Sequence, residues 1–278
     1  AMVLAMTRPD LRRAVTSLQN PTVKAVRALD MRKVRRETGL FVAEGASVLV
    51  TAREHGWRPR TLLFQPEATE GDIYRQLVGW AAQSGAEILE VSEAVLAKVA
   101  SKDNPQSVLA VFPQAWHPPP DVREASPEAV WIGLEDVRDP GNLGTIIRTA
   151  DAVGAAGVML IGTSCDPYSR EAVRASMGSI FAVPLVRIDR DAFLDWRRSW
   201  PGDVVGTHLS AKDDFRAVSY HGPTLLLMGS EGPGLSEALT AACDRLVKIP
   251  MAGRLDSLNL AVATALTLYQ IRGPHLRL

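Results

Sequence analysis

The stretch Val130-Trp131-Ile132-Gly133-Leu134, continued by Glu135-Asp136-Val137-Arg138-Asp139-Pro140-Gly141-Asn142-Leu143-Gly144, decides the fold. Five apolar residues without polar alternation read as a strand buried on both faces. A polar loop follows. Leu143, Ile146, Ile147, Ala150 and Val153 then recur at helical spacing and give that helix an apolar face. Asn142 is expected to cap it. The same strand–loop–helix order repeats downstream. Strands are expected over 157–161, 181–186, 203–207, 224–228 and 246–249, with helices over 169–177, 191–200 and 236–242 between most of them. A last Ala- and Leu-rich helix is expected to open at Ser257, Leu258 and Asn259. The expected fold is therefore α/β, a mostly parallel sheet covered by helices.

Upstream, the alternation is finer. Residues 12–36 read as polar helix broken at Asn20-Pro21. Strands are expected at 41–45, 60–64, 87–91 and 108–112, with helices at 46–55, 73–84 and 92–99. This describes a small α/β layer domain over residues 1–112. Pro113, Pro118, Pro119, Pro120 and Pro127 mark 113–128 as a stiff connector. The second domain then covers 129–278.

The chain has 278 residues, 46% apolar and 22% charged, as expected of a soluble protein with a real core. Cys165 and Cys243 sit in no CxxC pattern, so neither a metal site nor a disulfide framework is expected, and a cytoplasmic location fits. No apolar run is long enough to span a membrane. Ala1–Met6 is apolar but lacks a charged n-region and is too short for a signal peptide; it reads as a cloning vestige. The net charge is zero, yet residues 1–60 hold 12 Lys/Arg against 5 Asp/Glu. Lys24, Arg27, Arg32, Lys33, Arg35 and Arg36 are either a solvated helix face or a patch for an RNA or DNA backbone.

Ligands of parallel sheets bind beyond the carboxyl ends of strands, where three loops fall. The first carries Asn142 and, less than two turns on, Arg148. It is either a tight corner or a seat for an anion or ribose phosphate. It is not the GxGxxG pattern, which disfavours a nicotinamide enzyme. The second, Gly229-Ser230-Glu231-Gly232-Pro233-Gly234, has three glycines that allow close backbone approach. Glu231 there reads as a helix-start or structural partner of Arg148, or as a group orienting a reactive atom. The third runs from Ile249-Pro250-Met251 to Ser257-Leu258-Asn259.

Together these loops resemble the three motifs of the SpoU/TrmH family, the knotted S-adenosylmethionine-dependent RNA 2′-O-methyltransferases of the SPOUT superfamily. The matching residues are Asn142 to Ala150, Leu227 to Gly232, and Ile249-Pro250-Met251 with Ser257 to Ala261. The first domain is similar to the L30e-like substrate-binding domain that often precedes this catalytic domain. The resemblance implies a C-terminal trefoil knot, a homodimer whose sites draw on both subunits, and S-adenosylmethionine as cofactor. It places the cofactor at Thr207, Gly229, Ile249, Met251 and Leu258. It assigns catalysis to Asn142, Arg148, Glu231, Ser257 and Asn259. A guanidinium stays protonated, so Arg148 is expected to grip a phosphate and stabilise oxyanion charge rather than act as a base. The implied substrate is RNA, ribosomal by preference. A tRNA methyltransferase and a non-catalytic RNA-binding protein are the alternatives.

Overall fold

The structure, a computed structural model, describes residues 12–278; the reading of Ala1–Met6 lies outside them. Two compact units are present. The described part of the first comprises 12–114 with Tyr168–Arg174, and the second comprises 115–167 with 175–278.

The first unit runs β1 Arg12–Val15, α1 Pro21–Ala28, α2 Arg32–Thr38, β2 Leu40–Glu44, α3 Ala46–Glu54, β3 Thr61–Phe64, α4 Asp72–Gln83, β4 Glu87–Val91, α5 Glu93–Val99 and β5 Val108–Pro113. Its sheet has the order β1-β4-β3-β5-β2. Pairing is parallel from β1 to β3 and antiparallel from β3 through β5 to β2. Alternate side chains of each strand enter two cores. Val42, Leu63 and Leu89 pack under Val23 and Val26 of α1 and Val95 of α5. On the strands' other register, Phe41 and Phe112 each meet Trp57 edge to face, and Phe112 also meets Trp80. Asn20 caps α1 by accepting from Thr22 N and Val23 N, with Pro21 at the first helical position.

The expected helix at the start is overturned at β1. Arg12-Arg13-Ala14-Val15 is an edge strand. It is fixed by ion pairs to Glu90 and Glu87 on its neighbour, which local composition does not reveal.

The second unit runs β6 Val130–Glu135, α6 Pro140–Ala152, β7 Gly157–Ile161, α7 Arg170–Ser176, β8 Leu185–Ile188, α8 Arg190–Arg197, β9 Asp203–Thr207, β10 Asp213–Asp214, β11 Thr224–Met228, α9 Glu237–Ala242, β12 Arg245–Lys248 and α10 Leu260–Arg272. The first residues of α7 group with the first unit. The sheet order is β10-β12-β9-β11-β6-β7-β8, and every neighbouring pair is parallel. Helices α6 and α10 pack together. Trp131, Met159, Leu225 and Leu227 meet Phe193 of α8 and Leu239 of α9 in one core.

The strand expected over 181–186 is instead a 3-10 turn, Ser179–Phe181, followed by β8. Pro184 has no N–H for a ladder, so pairing with β7 starts at Leu185. The Pro-rich segment 115–128 belongs to the second unit, where His117 N donates to Leu185 O and Trp196 Nε1 donates to Pro120 O.

Candidate active site

The sheet reverses its winding between β11 and β6. Strands β7 and β8 extend to one side of β6, while β9 and β12 lie beyond β11. Such a switch point opens a crevice at the carboxyl ends of the strands. The loops after β6, β9, β11 and β12 all leave from that edge.

The first loop corrects the sequence reading. Helix α6 starts at Pro140, and its cap is Asp139, not Asn142; the Asp139 carboxylate accepts from Asn142 N at 2.9 Å. Proline fits the first helical position because its fixed φ suits the helix and its missing N–H would be unpaired there anyway. The Asn142 side chain is thereby released to bridge the other two loops. Its Nδ2 donates to Glu231 Oε1 at 3.3 Å, and its Oδ1 accepts from Asn259 Nδ2 at 3.0 Å. Asn259 caps α10, accepting from Ala261 N and Val262 N. One chain of side chains, Glu231–Asn142–Asn259, thus ties all three loops together.

Glu231 also accepts from Arg138 N at 3.0 Å and Asp139 N at 3.2 Å. Partial burial pushes its carboxyl pKa up. The backbone N–H groups of Glu231 itself, Arg138 and Asp139, with the Asn142 amide, more than offset this and hold it below the ordinary value. Glu231 is therefore a helix-start partner. It is not the partner of Arg148, whose side chain makes no hydrogen bond or ion pair with the described residues.

Arg148 is exposed and lies six residues beyond Asn142, about 9 Å along the helix axis and on a different face. Thr145 lies one turn before it on the same face, and Thr149 follows it in sequence. These two join Ala261, Val262, Ala265, Leu266 and Tyr269 of α10 around a shallow groove of about 280 Å³. Ser257 is exposed in the third loop, two residues before Asn259, and makes no side-chain bond to the described residues. Of the five expected catalytic residues, one chain brings three into contact; Ser257 lies beside them and Arg148 apart.

The expected cofactor residues follow three adjacent strands. Thr207 ends β9, Gly229 follows β11 and Ile249 follows β12. Thr207 Oγ1 lies 3.4 Å from Met228 Sδ. Ile249 and Met251 are half-buried, and Leu258 is exposed. Backbone groups at strand ends, flanked by uncovered apolar side chains, fit a ligand with one flat apolar part and one polar part. Gly229 has a structural reason of its own. A Cβ there would stand 2.0 Å from the Gly234 carbonyl carbon.

Sequence reasoning missed Glu135. Only 2% exposed, it accepts from Ser236 N and Ser236 Oγ, each at 2.6 Å, and pairs with Arg190 Nε at 2.8 Å. It anchors the far end of the Glu231 loop to β6. A carboxylate closing an otherwise apolar strand was the available signal.

In the first unit, Lys24, Arg32, Lys33 and Arg36 are exposed, and Lys33 lies 3.8 Å from Glu37. Arg35 is corrected: it is 5% exposed, and its Nη1 donates to Leu29 O and Asp30 O. It ties down the end of α1 and is not an open contact for a nucleic acid.

A parallel sheet with a carboxylate–amide relay at its switch point and a separate basic module defines a two-domain α/β enzyme. The chain belongs to the SpoU rRNA methylase family, whose model matches residues 129–269. Residues 20–110 match the MRM3-like substrate binding domain. The chain is 35% identical over 255 residues to the 23S rRNA (uridine(2479)-2′-O)-methyltransferase of Streptomyces viridochromogenes, covering 87% of this chain and 85% of that relative. It is 29% identical to the 23S rRNA (guanosine(2553)-2′-O)-methyltransferase of Bacillus subtilis, over 93% of this chain and 99% of the relative. The AdoMet-bound rRNA methyltransferase from Sinorhizobium meliloti superposes with a TM-score of 0.88 at 42% identity, covering 96% of this chain and all of that one.

Proposed function

We propose that this chain, as a homodimer, transfers the methyl group of S-adenosylmethionine to a ribose 2′-hydroxyl of ribosomal RNA. The observation that carries the reading is the Glu231–Asn142–Asn259 relay at the switch point of a SpoU-family sheet. Similar proteins named as 23S rRNA 2′-O-methyltransferases support ribosomal RNA over tRNA. Those two act on uridine and on guanosine, so the family leaves the base open.

S-Adenosylmethionine supplies an electrophilic methyl on a sulfonium. Thr207, Gly229, Ile249, Met251 and Leu258 would hold it at the ends of β9, β11 and β12. Asn142, Asn259 and the exposed Ser257 hydroxyl would position the ribose. Glu231 is already engaged by several donors and held ionised, which makes it an anchor of the loops and a poor proton acceptor. The hydroxyl proton would leave to water while Arg148, delivered by the second copy of the dimer, neutralises the developing oxyanion and grips the adjacent phosphate. Lys24, Arg32, Lys33 and Arg36 would meet the RNA backbone, with Arg35 as internal support.

The dimer reading rests on α10. Ala261, Thr264, Leu268 and Ile271 face the core, yet Val262, Leu266 and Tyr269 form a second apolar stripe that is 49, 43 and 50% exposed. Arg148 sits one turn beyond Thr145, which lines the groove along this stripe. A second copy docked there would cover the stripe and receive a cation that the described residues of its own chain leave unpaired.

The test incubates the purified chain with tritiated S-adenosylmethionine and, separately, protein-free 23S rRNA and total tRNA. Label in alkali-resistant dinucleotides of 23S rRNA is expected. Alkali-labile label or none would refute ribose methylation, and label in tRNA alone would replace the substrate.

A further inference from the structure

We propose that a groove in the first unit seats the substrate's sugar–phosphate backbone through Lys24, Arg27, Lys98 and Lys102. This rests on the RNA reading above and adds Lys98 and Lys102 to the basic cluster read from the sequence. The groove has a volume of about 970 Å³ and is walled by α1, Met31 and the buried Arg35 at the start of α2, the end of α5, the following turn and Ser169–Glu171 of the same unit. Cations outnumber carboxylates among its lining residues. One of those carboxylates, Asp30, is neutralised by Arg170 Nε at 2.6 Å; Arg170 Nη1 also pairs with Glu44. Arg174 fixes the far wall by donating to Ser101 Oγ and Asp103 O.

The four named cations are different. Each is exposed, lines the groove, and has no ion pair or side-chain hydrogen bond with the described residues. Lys24 and Arg27 lie three residues apart and so share one face of α1. Arg27 and Lys98 sit in the last turns of α1 and α5, where a cation gains from the helix dipole. That gain does not account for Lys24, early in α1, or for Lys102, beyond α5. Unneutralised cations converging on one concavity are what phosphodiesters select. Met31, 57% exposed at the same groove, adds a pliable apolar surface for a sugar or base face.

The test compares the full chain with Arg27→Ala/Lys98→Ala/Lys102→Ala and with a charge-matched control, Arg58→Ala/Arg60→Ala/Arg75→Ala. Filter binding to transcribed 23S rRNA is measured over a KCl series from about 50 to 200 mM. Losing three phosphate contacts should flatten the log–log salt slope by about 2 to 3 and weaken binding roughly ten- to hundredfold at low salt. The control should stay near wild type. Unchanged melting and S-adenosylmethionine affinity by calorimetry certify the fold of both variants. Equal slopes in groove variant and control would overturn the groove alone. A wild-type chain that fails to retain 23S rRNA would overturn the RNA reading and the groove with it.

Discussion

Gly229→Ala isolates the contribution of a single methyl group. Gly229 follows β11 and opens the loop that carries Glu231. The loop closes on itself, since Gly234 N donates to Ser230 O at 3.0 Å. A Cβ on residue 229 would lie 2.0 Å from Gly234 C, 2.1 Å from Leu235 N and 2.5 Å from Gly234 O. All three are backbone atoms, so no rotamer relieves the clash, and the returning strand of the loop must retreat by more than an ångström. Overpacking of this kind costs about 1–3 kcal/mol, and a backbone clash belongs at the upper end. A loss of about 3 kcal/mol lowers the melting temperature of a unit this size by roughly 6–12 °C. The retreat also moves Glu231 off Asn142, and a 1 Å misplacement in a catalytic constellation lowers rate about a hundredfold. Scanning fluorimetry and a tritium-transfer assay on 23S rRNA read the two effects. A variant with wild-type melting and wild-type turnover would refute the argument. Wild-type melting with lost S-adenosylmethionine binding would assign Gly229 to the cofactor alone.

Glu231→Gln should remove a pH-dependent share of stability. The folded carboxyl titrates below its ordinary value of 4.5, so its contribution is complete above that value and fades as pH falls through the folded value. Urea titrations should show the gap between wild type and variant at neutral pH and see it close below about 4.5; a gap that widens in acid would contradict the relay. Asn142→Ala and Asn259→Ala share the 3.0 Å bond, so each should slow transfer ten- to hundredfold and the double variant hardly more. Additive losses in kcat/KM would show that the two amides act independently. Arg35→Ala deletes two bonds to carbonyls just past the end of α1 and should destabilise the first unit by about 2–3 kcal/mol without altering the salt slope of RNA binding. A flattened slope would return Arg35 to the RNA surface.

The parallel sheet was legible because its strands are buried on both faces and leave unbroken apolar runs such as Leu225-Leu226-Leu227. Parallel strands send their following loops to one edge, so the meeting of the three loops could also be read in advance. The bonding within the meeting could not. Asp139 and Asn142 are both good caps, and only the fixed φ of Pro140 decides between them, although the Asp-Pro pair was in plain view. β1 was hidden because the strand it pairs with, β4, and the carboxylates Glu87 and Glu90 that its arginines reach lie more than seventy residues away. Four basic residues in the five from Arg32 to Arg36 carry no mark of which one turns inward; the carbonyls of Leu29 and Asp30 select Arg35. The separation of Arg148 from the relay follows from helical geometry, which the spacing contained once the true helix start was known.

The position of β11 bears on how the chain is born. During synthesis, β6, β7 and β8 emerge in order and can pair at once, but β6 then presents a bare edge. β9 emerges next and has no neighbour until β11 arrives, because β11 separates it from β6. Almost ninety residues, 136–223, leave the ribosome between the end of β6 and the strand that covers it. Pairing across such a separation is slow, and an open strand edge invites association with other nascent chains. Completion of the catalytic sheet therefore waits on the segment Thr224–Met228, the same strand that delivers Glu231 to its partners.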